Sequence, residues 1–140
     1  MSTKVAELMS ETVVTAEPHH SIEHTRTLLD RNGITSVPVV DSDGQPVGIV
    51  SAIDLAHDLK AGAPISTIMT ANVYVVPKYE NVSIAARVMR NHKIHHVVVT
   101  HEKKVVGILS AFDLLKLVEE HHYVAKNPPT KSRRKGAKRQ

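Results

Sequence analysis

The stretch that decides the fold is Gly48-Ile-Val-Ser-Ala-Ile-Asp-Leu55, which returns as Gly107-Ile-Leu-Ser-Ala-Phe-Asp-Leu114. Each copy is an apolar run that ends in Ser and is followed three residues later by Asp. The run predicts a strand. The Ser and Asp are typical of a capping box, in which their side chains satisfy free backbone N–H groups where a helix begins. The sequence therefore predicts the same strand-to-helix corner twice.

The repeat continues outward from these corners at an offset of 59 or 60 residues. Met9-Ser10 corresponds to Met69-Thr70, and Ser21 corresponds to Asn81, each predicted to cap an amphipathic helix. Two strand-like runs joined by a short turn follow in each copy. With a short leading helix at 5–9 and 65–69, each copy is predicted to have the order β-α-β-β-α.

A half of about sixty residues is marginal as an independent domain, because it buries too little surface. We therefore expect an α/β (α+β) fold, in which two pseudo-twofold-related repeats, 1–62 and 63–125, pack sheet to sheet. Such packing leaves clefts between the repeats, where small-molecule sites tend to form.

The charge is unevenly distributed. Residues 126–140 contain seven basic and no acidic residues, whereas residues 1–125 hold the other 11 basic and all 14 acidic residues, a net charge of −3. This basic tail has almost no apolar residues and is predicted to be disordered. It offers an alternative function, electrostatic binding of nucleic acid or of an acidic partner.

Composition excludes several other classes. Aromatic residues make up 3% of the chain, which disfavours base-stacking surfaces in the folded body, and there is no cysteine for disulfides or thiol chemistry. No apolar run reaches the ~18 residues of a membrane span, and the first residues do not resemble a signal peptide. A cytoplasmic protein without a membrane partner is the expectation.

The capping box by itself explains each Ser-x-x-Asp motif. The same geometry also suits a ligand, because a helix N-terminus attracts phosphate or other polar oxygens. An ionised Asp can in addition accept hydrogen bonds from both hydroxyls of a ribose.

The ordered set of motifs, present twice between about residues 5 and 121, resembles the CBS domain family. The resemblance implies a paired module that binds an adenosine-containing ligand such as AMP, ADP or ATP. In such a module Asp54 and Asp113 would hold the ribose, and Ser51 and Ser110 would contact ribose or phosphate. The base would lie against the first strand and the turn into the second strand, at Val14, Ile34, Thr35, Ser36 and Pro38 in one copy and at Tyr74, Ile94, His95 and His96 in the other.

The resemblance also implies that each site combines both copies. One site is expected from the 34–38 region with Ser110 and Asp113, and the other from the 94–98 region with Ser51 and Asp54. Bulkier residues in the second copy leave open whether one or both sites are occupied.

The ten histidines raise the question of a metal site. His92 and His96 are four residues apart, but His96 is expected on a strand, so the pair lacks helical geometry. No metal site is predicted, and a pH-responsive phosphate contact by His95 or His96 is favoured instead. No nucleophile stands beside a base, so no catalytic residues or catalytic cofactor are predicted.

The leading hypothesis is thus a stand-alone sensor that is not an enzyme. It would bind an adenine nucleotide as a regulatory ligand, assemble as a homodimer and act on an unidentified protein. A third alternative is an interaction scaffold that has lost its nucleotide sites.

Overall fold

Two antiparallel hairpins form the centre of the molecule, one from each half. The computed structural model describes residues 3–11, 14–56 and 58–120. The helices and strands of the first half are α1 (Val5–Leu8), β1 (Ser10–Glu11), α2 (Ile22–Asn32), β2 (Ser36–Val40) and β3 (Pro46–Ser51). Those of the second half are β4 (Val75–Pro77), α3 (Val82–His92), β5 (His96–His101), β6 (Lys104–Ser110) and α4 (Ala111–Glu120). Two 3₁₀ turns, Asp54–Ala56 and Ile65–Thr67, lie between them.

The sheets are equivalent in design. One has the strand order β1-β6-β5-β4, with β4 parallel to β5 and the other pairs antiparallel. The other consists of β2 and β3, extended on one side by a parallel bridge from Ala16 to Val39 and on the other by an antiparallel bridge from Thr70 to Ile49. The mixed fold with two related repeats, predicted from the sequence, is confirmed.

The segments that lead into each half are exchanged between the two cores. Val5 and Leu8 are buried with residues of the second half, whereas Ile65 is buried with residues of the first half. Backbone hydrogen bonds repeat the exchange: Val5 N–H donates to Glu80 at 2.8 Å, and Ile65 N–H donates to His20 at 2.8 Å. The halves therefore share their cores as well as a cleft.

The two principal helices begin differently. Ser21 caps α2, since its Oγ accepts the His24 N–H at 3.0 Å, as predicted. Asn81 occupies the N-cap position of α3, as predicted, but the predicted hydrogen bond is wrong, because its side chain accepts no helix N–H. Its Oδ1 instead accepts a 3.3 Å hydrogen bond from Lys4 Nζ, in the segment that leads into the first half.

The closing α-helix predicted for the first copy does not form. Only the 3₁₀ turn Asp54–Ala56 forms there, whereas α4 runs for 10 residues. The chain after residue 58 has to return to the start of α2, where Ala61 and Ala63 carbonyls accept N–H groups of Glu23 and Ile22 at 2.9 Å each. This return, followed by Pro64, leaves no room for a longer helix.

Of the first strand predicted in copy one, only the bridge at Ala16 is formed, and Val13 lies outside the described residues. The basic tail 126–140 also lies outside them. The division into 1–62 and 63–125 stays a prediction.

Candidate ligand-binding site

Both predicted strand-to-helix corners are built as capping boxes. At the first corner, Asp54 Oδ2 accepts the Ser51 N–H at 2.8 Å and the Asp54 N–H donates to Ser51 Oγ at 3.2 Å. At the second, Asp113 Oδ2 accepts the Ser110 N–H at 2.9 Å and the Asp113 N–H donates to Ser110 Oγ at 3.0 Å. In each box one carboxylate oxygen is used locally, and Oδ1 takes no part in the capping.

The first corner opens into a cleft that we call the Asp54 cavity. It has a volume of about 450 Å³, within the usual range for small-molecule sites. Its described lining combines the first corner with the β4 approach and the start of β5, and it is mainly apolar: Ser36, Ile49, Ser51, Ile53, Asp54, Thr70, Asn72, Val73, Tyr74, Ile94, His95, His96 and Val98.

The second corner opens into an equivalent cleft, the Asp113 cavity. Its volume is about 530 Å³. Its described lining combines the second corner with β1 and the start of β2, and its surface is more polar than that of the Asp54 cavity: Ser10, Gly33, Ile34, Thr35, Ser36, His96, Ile108, Ser110, Phe112 and Asp113.

The two cavities share a wall. Ser36 and His96 line both of them. These residues occupy equivalent positions, since Ser36 pairs with Ser51 across the first hairpin and His96 pairs with Ser110 across the second. The cavities are thus neighbours on either side of the pseudo-twofold axis.

The structure brings together most of the residues that the sequence singled out. Ser51 and Asp54 meet Tyr74, Ile94, His95 and His96 in one cavity, and Ser110 and Asp113 meet Ile34, Thr35 and Ser36 in the other. Each cavity therefore combines the corner of one half with strand residues of the other.

Two of the singled-out residues line neither cavity. Pro38 is fully buried within β2, and Val14 packs against the core of the first half. Val14 corresponds to Tyr74, which does line the Asp54 cavity.

Sequence reasoning missed the contribution of the exchanged leading segments. Ser10 and Thr70 line the Asp113 and Asp54 cavities, respectively. The sequence did show that Met9-Ser10 and Met69-Thr70 correspond to each other. It did not indicate which strand each of these segments joins. Ile53 and Phe112, the apolar residues inside the capping boxes, were missed as well.

Charge differs between the cavities. Asp113 Oδ1 lies 3.8 Å from Lys116 Nζ, and the Asp113 side chain is 13% exposed. The position equivalent to Lys116 in the first half is His57, which lies outside the described residues. Neither cavity has a Lys or Arg among its described lining residues.

His96 is half-buried at the start of β5. Burial lowers the pKa of His96 below its ordinary value, and the neighbouring His95 lowers it further, while Asp113 opposes these effects. The neutral imidazole is therefore favoured, with a single N–H to donate.

A second group of histidines lies at the start of α2. The imidazole of His20 contacts those of His19 and His24, with ring centroids 4.7 and 4.6 Å apart. His20 Nδ1 accepts the Glu17 N–H at 3.0 Å. Burial and the two neighbouring histidines lower the pKa of His20, against a smaller opposing effect of Glu17.

No group of three or more His, Asp or Glu side chains in the described part of the chain is arranged to hold a metal ion. His92 lies on α3 and His96 on β5, as the sequence predicted. Within the same described ranges, no helix has the length and apolar character needed to cross a membrane.

Comparison with protein families identifies the fold. The family described as CBS domain matches residues 5–61 and again residues 65–120. This chain belongs to the CBS domain family, and its two halves are its two CBS repeats.

Several curated proteins are similar in sequence. An uncharacterized protein of Methanocaldococcus jannaschii, MJ1404, is 29% identical over 84% of this chain. An inosine-5'-monophosphate dehydrogenase of Halobacterium salinarum is 32% identical over 84% of this chain. The chain spans 32% and 24% of the length of these two relatives, respectively.

Solved structures share the same architecture. The CBS domain pair of protein MJ0100, in complex with 5'-methylthioadenosine and S-adenosyl-L-methionine, is 31% identical, with a TM-score of 0.78 over 86% of this chain and 99% of that one. CBSX2 in complex with AMP is 21% identical, with a TM-score of 0.74 over 86% of this chain and 99% of that one, and shows likeness of fold alone.

Proposed function

We propose that this chain is a regulatory module that binds adenosine-containing ligands in the Asp54 and Asp113 cavities and passes their occupancy to a partner protein in the cytoplasm. Catalysis is not part of the proposal. AMP, ADP and ATP are the ligands first expected, together with 5'-methylthioadenosine and S-adenosylmethionine.

The observation that carries the proposal is the pairing of a capping-box aspartate from one half with strand residues of the other in each cavity. An aspartate whose Oδ2 is fixed by a backbone N–H is held in one orientation. Preorganisation of this kind reduces the entropy lost on binding. A ribose presents two adjacent hydroxyl donors, which such a carboxylate can accept.

Likeness to other proteins supports the same ligand class. The MJ0100 pair, which is similar over nearly its whole length, holds two adenosine derivatives. The curated relatives contain a region like this chain within longer proteins, including a dehydrogenase of inosine monophosphate. This supports a regulatory role beside a separate effector, which the proposal places in a partner protein.

A thermal-shift screen of the full chain with adenosine, AMP, ADP, ATP, 5'-methylthioadenosine and S-adenosylmethionine tests the proposal. A ligand that binds only the folded state at 100 times its Kd stabilises it by about 2.7 kcal/mol. For a domain of this size that corresponds to a rise in Tm of roughly 5–10 °C.

The variants Asp54→Asn and Asp113→Asn assign the response to each cavity. Asparagine keeps an oxygen that can accept the capping N–H but loses the charge and the second acceptor, so folding is preserved better than with alanine. Each variant should lose part of the shift and the double variant all of it. Asp43→Asn, at the exposed turn of the first hairpin, should leave it unchanged. No response of the wild type to any of the six compounds would refute the proposal.

We also propose that the module is a homodimer. The exposed face of α4 carries Phe112, Leu115 and Val118, which are 78%, 54% and 66% exposed, and Ile53 is 77% exposed. Apolar surface of this kind commonly marks an interface. Sedimentation equilibrium should give twice the chain mass for the wild type and a lower association constant for Leu115→Ser, and a monomeric wild type would contradict the proposal.

The basic tail supplies a second candidate function. Its seven positive charges without a single acid favour electrostatic binding of nucleic acid or of an acidic partner. A chain truncated after Lys126 should lose any such binding, and the binding of the full chain should weaken steeply with salt. Binding that survives truncation would place it elsewhere.

A further inference from the structure

The wall between the two cavities consists of one hydroxyl and one imidazole. Ser36 is 8% exposed, and His96 stands at the equivalent position of the other half. Other residues at the starts of β2 and β5 serve one cavity each: Thr35 lines only the Asp113 cavity, and His95 lines only the Asp54 cavity. His96 is therefore the one imidazole among the described residues that faces both cavities.

A neutral imidazole has one N–H donor and one acceptor nitrogen, whereas a protonated imidazole has two N–H donors. The phosphate oxygens of a nucleotide only accept hydrogen bonds, so a phosphate can use only an N–H of the ring. When the ring is neutral, the phosphates of two bound nucleotides therefore compete for its single N–H. When it is protonated, each ligand can receive a hydrogen bond.

We propose that His96 couples the two cavities, so that a ligand bound in one weakens binding in the other while the imidazole is neutral. The inference rests on the proposed function, since it needs ligands in both cavities. Coupling of this kind is reciprocal, because the same free energy applies whichever cavity is filled first.

The groups around His96 determine the pH at which its imidazole gains a proton and the coupling changes. His95 adjoins it on β5, Asp113 faces it from α4 with Lys116 as its ion-pair partner, and Asp54 lies across the Asp54 cavity. Ser36 faces it from β2 without a charge. Burial lowers the pKa of His96, so the imidazole is neutral at neutral pH.

Isothermal titration of the full chain with AMP at about pH 8 and about pH 5.5 tests the inference. Asp113→Asn isolates the Asp54 cavity and Asp54→Asn isolates the Asp113 cavity, so the two variants give the affinity of each cavity alone. The product of these affinities, compared with the overall constant of the wild type, gives the coupling factor.

At pH 8 the wild type should bind its two ligands about 3- to 10-fold less tightly than the single-cavity affinities predict, the size of one lost hydrogen bond. As the pH falls from 8 to 5.5 and the imidazole gains a proton, the factor should move towards one. His96→Ser, which makes the wall symmetric with Ser36, should bring the factor to one at both pH values.

His95→Ser is the matched control. It should weaken the Asp54 cavity and leave the coupling factor at pH 8 as in the wild type. Because His95 lowers the pKa of His96, the coupling of this variant should be lost at a higher pH than in the wild type. Independent binding by the wild type at pH 8, or coupling that persists in His96→Ser, would overturn the inference and leave the proposed function intact. Absence of AMP binding to either cavity would overturn the inference, whereas the proposed function would fall only if the other five compounds also gave no response.

Discussion

The Asp54 and Asp113 cavities are made by equivalent elements, yet they differ in the chemistry of their walls. The Asp54 cavity is lined by Tyr74 and His95, whereas the Asp113 cavity has Thr35 at the position of His95 and no tyrosine among its described lining residues. The Asp113 cavity has a different aromatic side chain, Phe112, and its carboxylate has an ammonium group 3.8 Å away. The corner that orients the aspartate is thus the same in both halves, while the surrounding surface differs.

From this contrast we expect the two cavities to favour different parts of a ligand. A wall of apolar and aromatic groups favours a base or an apolar substituent. Hydroxyl groups with a nearby cation favour polar or anionic groups. The capping aspartate is the element that both sites keep.

The largest difference between the two halves is expected in stability, when the equivalent glycines of β3 and β6 are substituted. A Cβ on Gly107 would lie 2.6 Å from the Ser10 carbonyl oxygen, a backbone atom that cannot move alone. A Cβ on Gly48 would lie 2.6 Å from Met69 Sδ, at the end of a flexible side chain, and 3.1 Å from the Thr70 carbonyl oxygen. Gly107→Ala should lower the free energy of unfolding by about 1–3 kcal/mol and Gly48→Ala by less.

Urea denaturation measures both changes. Met69→Ala should recover part of the loss in Gly48→Ala, because it removes the side chain that the new methyl group meets. Equal destabilisation by the two glycine substitutions, or no rescue, would show that the clash at β3 is with the backbone.

Substitution of Tyr74 tests whether the two cavities differ in how they bind AMP, because Tyr74 lines only the Asp54 cavity. Its ring stacks on the His92 imidazole at 4.0 Å with an interplanar angle of 23°. In the Asp113→Asn background, Tyr74→Ala should weaken AMP binding by about 3- to 10-fold, the typical worth of one aromatic stacking contact. Tyr74→Phe should retain most of the affinity. A matching loss in the Asp54→Asn background would refute the assignment of Tyr74 to one cavity.

The two halves also differ in the residue that ends the helix before β2 or β5. Gly33 ends α2 with φ of 60°, and Lys93 ends α3 with φ of 55°, both in the left-handed region. Lys93→Gly should raise the free energy of unfolding by up to about 1 kcal/mol, because glycine adopts this conformation without steric cost.

Gly33→Ala should have the opposite sign. A Cβ there would meet nothing within 4 Å, so the loss would come from the backbone conformation alone. Thermal or urea denaturation gives both values, and a destabilised Lys93→Gly would contradict the argument.

The smallest effect expected is in the pH dependence of stability. The pKa values of His20 and His96 are lowered in the folded state, so the unfolded chain binds more protons below the ordinary value of 6.5. The free energy of unfolding should therefore fall as the pH decreases below that value and stop falling below the folded pKa.

Urea titrations between about pH 5.5 and 7.5 avoid the carboxylate range. His96→Ser should flatten part of the slope, and His20→Asn should flatten another part. A slope that is unchanged in the double variant would assign it to other histidines.

Much of the fold was predictable because the two copies can be aligned residue by residue, so each element found in one copy indicates its counterpart in the other. The corners at Ser51 and Ser110 could be located, and with them the aspartates and the strands before them. The resemblance added the pairing of the 34–38 region with Asp113 and of the 94–98 region with Asp54. The structure places residues 34–36 in the Asp113 cavity, without Pro38, and residues 94–96 and 98 in the Asp54 cavity.

What was not predictable depends on contacts between distant segments. Periodicity indicates helices and strands locally, but it does not say that Ser10 joins β6 while Thr70 approaches β3. The shared wall at Ser36 and His96 has the same origin, since it depends on where the two halves meet. The short 3₁₀ turn after Ser51 reflects the need of the chain to return to α2, a requirement that no local pattern records.

The exchange of leading segments has a consequence for descent by gene duplication. A half-length precursor that already had this exchange would have placed its leading segment on the core of a second copy, and so would have existed as a pair of intertwined subunits. Fusion of the two genes would then have turned an association that depends on protein concentration into one that does not.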